Sequence, residues 1–110
     1  MQDLTTDRSA AVPPDAARYV ETLRVPAMSV GTYVIPAGAH DPQGPHREDE
    51  VYVVLAGRGR LWTPTRTVDA VAGSVLFVPA GEEHRFVDVV EDLTVVVVFA
   101  PAETRPGDAS

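Results

Sequence analysis

The sequence predicts an all-β domain, either a sandwich or a barrel. Short apolar segments of strand composition recur along the chain, separated by turns that contain glycine or proline. No stretch sustains the 3.6-residue periodicity of an amphipathic helix. With 110 residues, the chain has the length of a single domain with one small core.

The composition excludes several classes of chemistry. The formal net charge is −7, and all nine positive residues are arginine. Such an acidic chain is a poor candidate for binding nucleic acid or an anionic membrane, because both need a basic patch. The absence of lysine excludes Schiff-base chemistry, and the absence of cysteine excludes thiolate catalysis and sulfur-ligated metals. No signal segment or membrane-spanning run is evident, so we expect a soluble cytoplasmic protein.

The N-terminal part leads into two predicted strands. Residues 1–17 are expected to be a flexible segment, although Asp15 is also a possible helix cap. Between residues 15 and 25 the pattern is ambiguous, and the alternation in its second half favours a strand ended by Pro26. Residues 27–35 have strand composition. A loop rich in proline and glycine follows, and it leads directly to His46.

The central strand prediction covers His46 to Gly57. Residues two apart on a strand share a face, so His46, Glu50 and Tyr52 are expected to point to the same side. That face is polar at its start and apolar toward Gly57. Such a face suits the interior of a small barrel with a site at its mouth.

The second half is predicted to contain shorter strands and a final apolar one. We expect a tight turn at residues 57–59, a partner strand over 58–63, a return strand over 66–70 and an apolar strand over 74–78. Residues 82–90 resume an extended pattern, and residues 93–100 form the most continuous apolar run, which is typical of a central strand. The predicted domain therefore spans residues 18–100, followed by a flexible tail over residues 101–110.

The candidate chemistry lies in the histidines. His46 and Glu50 are placed on one strand face, and His84 follows a Pro-x-Gly turn at the start of another strand. Two imidazoles and one carboxylate that converge form a facial set for a first-row divalent metal, with positions left open. A His–Glu pair at this spacing is also common by chance, so the surrounding sequence has to decide whether the pair belongs to a metal site.

That pattern resembles the two sequence motifs of the cupin family. Gly38, Gly44, His46, Glu50 and Gly57 follow the spacing of the first motif, with glycine at the position of its first histidine. The second motif is matched by Gly73, Pro79-Ala80-Gly81, His84 and Asp88, with aspartate in place of asparagine. The resemblance covers residues 38–88 and implies a jelly-roll barrel, also called a double-stranded β-helix.

The resemblance also implies a metal site. His46, Glu50 and His84 match three of the four usual ligand positions, and the cofactor would be a divalent Fe, Mn, Ni, Zn or Cu ion. Because Gly44 has no ligating side chain, the fourth ligand is open: His40 and Gln43 are equal candidates, and a three-ligand site is the remaining alternative. Tyr52 and Phe86 share the parity of Glu50 and His84 and are candidates for binding a substrate. Asp88 is expected to be structural.

Three classes of function are compatible with such a site. The first is a metal-dependent enzyme acting on a small organic molecule, since similar cupins include dioxygenases, isomerases, decarboxylases and lyases. The second is a metal-bearing binding or sensing module without turnover. The third is a structural barrel with a vestigial site. The resemblance further implies a homodimer, with a small molecule as the other partner, while the acidic composition favours neither nucleic acid nor a membrane as a partner.

Overall fold

The structure is a computed structural model that describes residues 1–5, 16–42 and 44–104. Six strands make up its regular structure, and no helix forms among the described residues, which confirms the predicted all-β class. The strands are β1 (Arg18–Val25), β2 (Met28–Ile35), β3 (Asp49–Trp62), β4 (Thr67–Val71), β5 (Val75–Val78) and β6 (Arg85–Ala100).

All strand pairs are antiparallel, and two long strands hold the sheet together. The order is β1-β2-β6-β3-β4, and β5 also pairs with β3. β6 thus lies between β2 and β3, which confirms the prediction of a central C-terminal strand. β3 pairs with β4, β5 and β6 along different parts of its length. Because β3 carries Glu50 and β6 begins directly after His84, this pairing brings the two motifs together.

The sheet encloses its core on one face. The alternation predicted for the central strand is confirmed, since Glu50, Tyr52 and Val54 are all buried. Leu93, Val95, Val97 and Phe99 of β6 alternate in the same way. The buried apolar core is completed by Ile35, Leu61, Ala70, Val78, Phe86 and Val89.

The opposite face of the sheet is also largely apolar. Directly paired residues share a face, so Val75 and Phe77 of β5 continue onto β3 and β6. Both are well exposed, at 66% and 63%. The two cross-strand rows are Phe77, Val51, Val98 and Val30, and Val75, Val53, Val96 and Thr32. The homodimer expected from the sequence stays a prediction.

One turn prediction is wrong. Residues 57–59 do not form a hairpin turn, because β3 continues through them as far as Trp62. Gly57 has a φ of 94°, and the register between β3 and β6 shifts on either side of it. A Cβ at this position would collide with the carbonyl oxygen of Asp92. The glycine therefore marks a bulge, which needs the same positive φ as a turn and has the same sequence signal.

The strand limits differ from the predicted ones in one further respect. Residues 85–100 form one strand, whereas the sequence suggested a break before residue 93. The strand predicted in the second half of residues 15–25 is confirmed as β1, while Asp15 lies outside the described residues. Among the described residues no helix is long and apolar enough to cross a membrane. The flexibility predicted for residues 1–17 and 101–110 stays a prediction.

Candidate metal centre

The Pro79-Ala80-Gly81 turn positions His84 opposite His46. The backbone N–H of Gly81 donates to the carbonyl oxygen of His46 at 2.8 Å. The N–H of Ala80 donates to Asp49 Oδ1, also at 2.8 Å. Asp49 is exposed and points away from Glu50, as the strand parity predicted. These two bonds fix the turn against the start of β3, so the two histidines meet although they are far apart in sequence.

Three ligand-type side chains converge at this end of the barrel. Donor atoms of His46, Glu50 and His84 all lie within 4.8 Å of one another. The ring centroids of the two histidines are 5.5 Å apart. Glu50 and His84 are each only 1% exposed, and His46 is partly buried. The arrangement can hold one divalent cation.

The hydrogen bonds of His84 define which of its nitrogens faces the site. Nδ1 lies 2.8 Å from the carbonyl oxygen of Glu82, which can only accept, so Nδ1 carries the proton. In the neutral ring Nε2 then presents a lone pair and accepts from the Tyr52 hydroxyl at 3.0 Å. Burial alone would lower the pKa of His84, but the Glu50 carboxylate and the Glu82 carbonyl outweigh it and raise the pKa above its ordinary value.

Glu50 provides the test of whether a metal fits. Its Oε1 lies 2.6 Å from His84 Nε2, and while that ring is neutral neither carboxylate oxygen has a hydrogen-bond donor among the described residues. A buried carboxylate without donors is costly, and an oxygen lone pair facing a nitrogen lone pair at this distance is repulsive. A cation relieves both penalties, either as a proton on Nε2 or as a metal ion bound by both groups. The donor set therefore fits a divalent metal.

Two of the three residues, His46 and Glu50, border a cavity of about 170 Å³. Its apolar walls include Val97 and Phe99, and all three tyrosines of the chain contribute to it. The complete lining is Tyr19, Tyr33, His46, Glu50, Tyr52, Val97, Phe99 and Glu103. Phe86, the second substrate-binding candidate, is not among these residues; it packs edge-on against Tyr52 with ring centroids 4.9 Å apart.

Glu103 is a cavity residue that the sequence reasoning missed. Its Oε2 lies 3.5 Å from His46 Nδ1, although the sequence placed it in a polar tail. Burial raises the pKa of Glu103, and the carboxylates of Glu48 and Glu50 add to this effect against the opposing charge of Arg24. The alternation of Leu93, Val95, Val97 and Phe99 extends with the same parity to residue 103. The continuation of this alternation beyond β6 was the sequence signal that could have identified Glu103 as an inward-facing residue.

The fourth ligand position stays open. His40 is exposed and does not belong to the group of converging donors. Gln43 lies outside the described residues. Asp88, where the motif has asparagine, adopts a φ of 51°, and aspartate is one of the few residue types that tolerate this left-handed conformation. Its backbone conformation agrees with the structural role expected from the sequence.

The fold and the convergent histidines define the class to which this protein belongs, that of small β-barrels able to hold a metal at one end. A family model described as "Cupin domain" matches residues 31–100, and the chain belongs to the cupin family. The resemblance of the motifs and the jelly-roll fold that it implied are thereby confirmed.

Individual relatives extend the match to nearly the whole chain. An uncharacterised protein of Streptomyces coelicolor is 41% identical over 104 residues, covering 94% of this chain and 95% of that protein. An RmlC-like cupin of Desulfovibrio desulfuricans has a TM-score of 0.77 at 23% identity, over 92% of this chain and 99% of its own. The TT1209 protein of Thermus thermophilus has a TM-score of 0.76 at 22% identity, over 93% and 97%. These two structural likenesses concern the fold.

Proposed function

We propose that this cupin is a metal-dependent enzyme that acts on a small organic molecule held in the barrel cavity. The residues that bind the metal in this proposal are His46, Glu50 and His84. The observation that carries it is the convergence of three ligand-type side chains, in which the buried Glu50 carboxylate lies 2.6 Å from His84 Nε2 and has no other donor among the described residues. A proton on His84 would satisfy Glu50 alone, whereas a metal also accounts for the third donor, His46.

The position of the site favours a reaction over a purely structural ion. Glu50 and His46 border the cavity, so a bound ion would be reachable by a ligand there. A divalent metal bound at this place would act as a Lewis acid on a ligand oxygen. Structural metal sites, by contrast, are closed by four protein ligands.

The remaining residues have roles in binding and proton handling. The Tyr52 hydroxyl lines the cavity and is hydrogen-bonded to His84, so in this proposal it orients the ligand or donates a proton to it. Val97 and Phe99 exclude water from one wall. Among the residues that line the cavity, His46 is the only basic one, facing the two carboxylates of Glu50 and Glu103. This balance favours a neutral ligand of modest size over a polyanion.

Metal analysis followed by substrate screening tests the proposal. We expect the purified protein, prepared without chelator or nickel resin, to contain close to one equivalent of a divalent transition metal. Chelation should lower its melting temperature, because a ligand that binds only the folded state stabilises it by mass action. The loaded protein should then consume a member of a panel of diketones, catechols, flavonols and keto acids. A protein that takes up no metal under varied loading would overturn the proposal.

The alternative function is a binding or sensing module without turnover. The cavity and the open coordination positions serve this function equally well, since fold and site geometry do not distinguish binding from catalysis. A protein that holds stoichiometric metal and binds one compound of the panel, without consuming it or any O2, would favour this alternative. Mass spectrometry of the ligand after prolonged incubation separates the two.

A further inference from the structure

The segment that follows β6 is held against the barrel through its backbone. The N–H of Glu103 donates to Ser29 Oγ at 2.8 Å, and Ser29 is completely buried. Arg24 donates from Nη2 to the carbonyl oxygen of Glu103 at 2.6 Å. One residue further, the Thr104 hydroxyl donates to Glu48 Oε2 at 2.8 Å. The position of Glu103 is therefore fixed on both sides of its Cα without help from its own side chain.

This anchoring leaves the Glu103 carboxylate directed at the candidate metal centre. Its Oε2 is 3.5 Å from His46 Nδ1, and the side chain forms part of the cavity wall. The His46 ring is packed on its other side by Phe99, with centroids 5.0 Å apart in an edge-to-face arrangement. The ring thus has an aromatic contact with Phe99 and a carboxylate near Nδ1, and it offers one nitrogen to the group shared with Glu50 and His84.

We propose that Glu103 is a positioning residue for His46: its carboxylate favours the proton on Nδ1 and thereby presents the Nε2 lone pair to the metal. The proposal rests on the metal-binding function proposed above. Carboxylates behind a ligating histidine commonly fix its tautomer and orientation, and their loss typically costs about 10–100-fold in metal affinity. The Glu82 carbonyl oxygen accepts from Nδ1 of His84 in the same way, so each histidine has an acceptor near Nδ1.

Two substitutions separate this role from a structural one. Glu103→Gln keeps an acceptor oxygen of nearly the same reach, whereas Glu103→Leu keeps the bulk and removes the acceptor. Both leave the backbone bonds to Ser29 and Arg24 in place. Thr104→Val is the matched control, because it loosens the same segment from Glu48 without touching the carboxylate that faces His46.

The first readout is the tautomer of His46 in metal-free protein, measured from the ring ¹⁵N shifts by NMR. We expect the Nδ1–H form in the wild type, in Glu103→Gln and in Thr104→Val, and a shift toward Nε2–H in Glu103→Leu. An unchanged tautomer in Glu103→Leu would overturn the proposal. This measurement needs no metal, so it stands even if the metal-binding function fails.

The second readout is Co²⁺ affinity, measured by calorimetry on the full chain. Glu103→Leu should lose about 10–100-fold in affinity, while Glu103→Gln and Thr104→Val should stay within about threefold of the wild type. An equal loss in Thr104→Val and Glu103→Leu would assign the effect to the anchoring of the segment and would contradict a positioning role. A wild type that binds no Co²⁺ or other divalent metal would instead overturn the proposed function, with the tautomer result unaffected.

Discussion

Two buried carboxylates in this barrel have opposite environments. Asp41 is 2% exposed, and each of its oxygens has a donor: the Tyr33 hydroxyl at 2.6 Å and the backbone N–H of Phe86 at 2.7 Å. Glu50 is 1% exposed, and among the described residues its oxygens face no donor other than the His84 ring, 2.6 Å away. The two carboxylates are almost equally buried, so they differ in the groups that face their charges.

This difference separates a structural group from a functional one. Asp41 joins the loop before β3 to the start of β6, and its charge is stabilised by neutral donors from the protein. Glu50 is instead balanced by a cation, which is either the protonated His84 ring or a bound metal. Removing the charge of Asp41 should therefore lower stability and leave metal affinity nearly unchanged. Removing the charge of Glu50 should mainly lower metal affinity.

The largest expected effect is that of Glu50→Gln on metal binding. An amide neutralises the charge and presents an N–H₂ group to the site, so we expect a loss of more than about 100-fold in affinity, beyond the range typical of groups behind the ligands. The metal-free variant should remain folded, because the apolar core of the barrel holds the domain together, although the buried pair with His84 is lost. Calorimetry with Zn²⁺ and urea unfolding measure the two quantities. His84→Ala should lose metal in the same way and remain folded, and an unfolded variant would contradict the comparison.

Asp41→Asn is the reciprocal change. The amide oxygen can still accept from the Phe86 N–H and the N–H₂ group can donate to the Tyr33 hydroxyl, but both bonds lose the help of the charge, so we expect a loss of about 2 kcal/mol in the free energy of unfolding. Zn²⁺ affinity should stay within about threefold of the wild type when measured well below the melting temperature. A large loss of metal with unchanged stability would show that the two carboxylates are not distinct in role.

The open fourth position gives a smaller effect. His40 is exposed and outside the convergent group, so His40→Ala should leave Zn²⁺ affinity unchanged. If Gln43 supplies the ligand, Gln43→Ala should weaken binding by about 10-fold, a typical contribution of one neutral ligand or supporting group. Equal affinities for both variants and the wild type would indicate a site of three protein ligands. A variant that leaves metal occupancy unchanged excludes the substituted residue as the fourth ligand.

The smallest effect is expected at alkaline pH and concerns Tyr33, the hydrogen-bond donor to Asp41. Burial raises the pKa of Tyr33 well above its ordinary value of 10.0, and the hydrogen bond to Asp41 adds to this. The neutral phenol is thus favoured in the folded state, so its contribution to stability is complete below pH 10.0 and is lost as the pH rises above it. Urea unfolding from pH 9 to about pH 11 should therefore show a steeper decline for the wild type than for Tyr33→Phe. Equal slopes would place the alkaline sensitivity elsewhere.

Much of the fold could be predicted from the sequence, because strand alternation and turn residues are local signals. The shared face of Glu50 and Tyr52 follows from parity alone, whereas the meeting of His46 with His84 was implied by the resemblance to the cupin motifs. Gly57 shows the limit of local reasoning. A positive φ is compatible with a turn or a bulge, and only the pairing of β3 with β6 decides between them.

The rest of the site depends on contacts distant in sequence. Glu103 reaches His46 because the segment after β6 is fixed by Ser29 and Arg24, neither of which carries a motif signal. Asp41 was one polar residue in a proline-rich loop until the structure placed it against Tyr33 and Phe86. Such tertiary hydrogen bonds have no sequence period and cannot be inferred from one chain.

The place of β6 between β2 and β3 has a consequence for how the protein is made. During synthesis β2 and β3 emerge from the ribosome well before the strand that joins them. Until residues 85–100 have been added, the two sides of the sheet share no backbone pairing, and Phe99 is missing from the cavity wall. Glu103 completes that wall only a few residues later. The cavity is therefore completed only after the six strands and residue 103 have been translated, and whatever it binds meets a finished site only then.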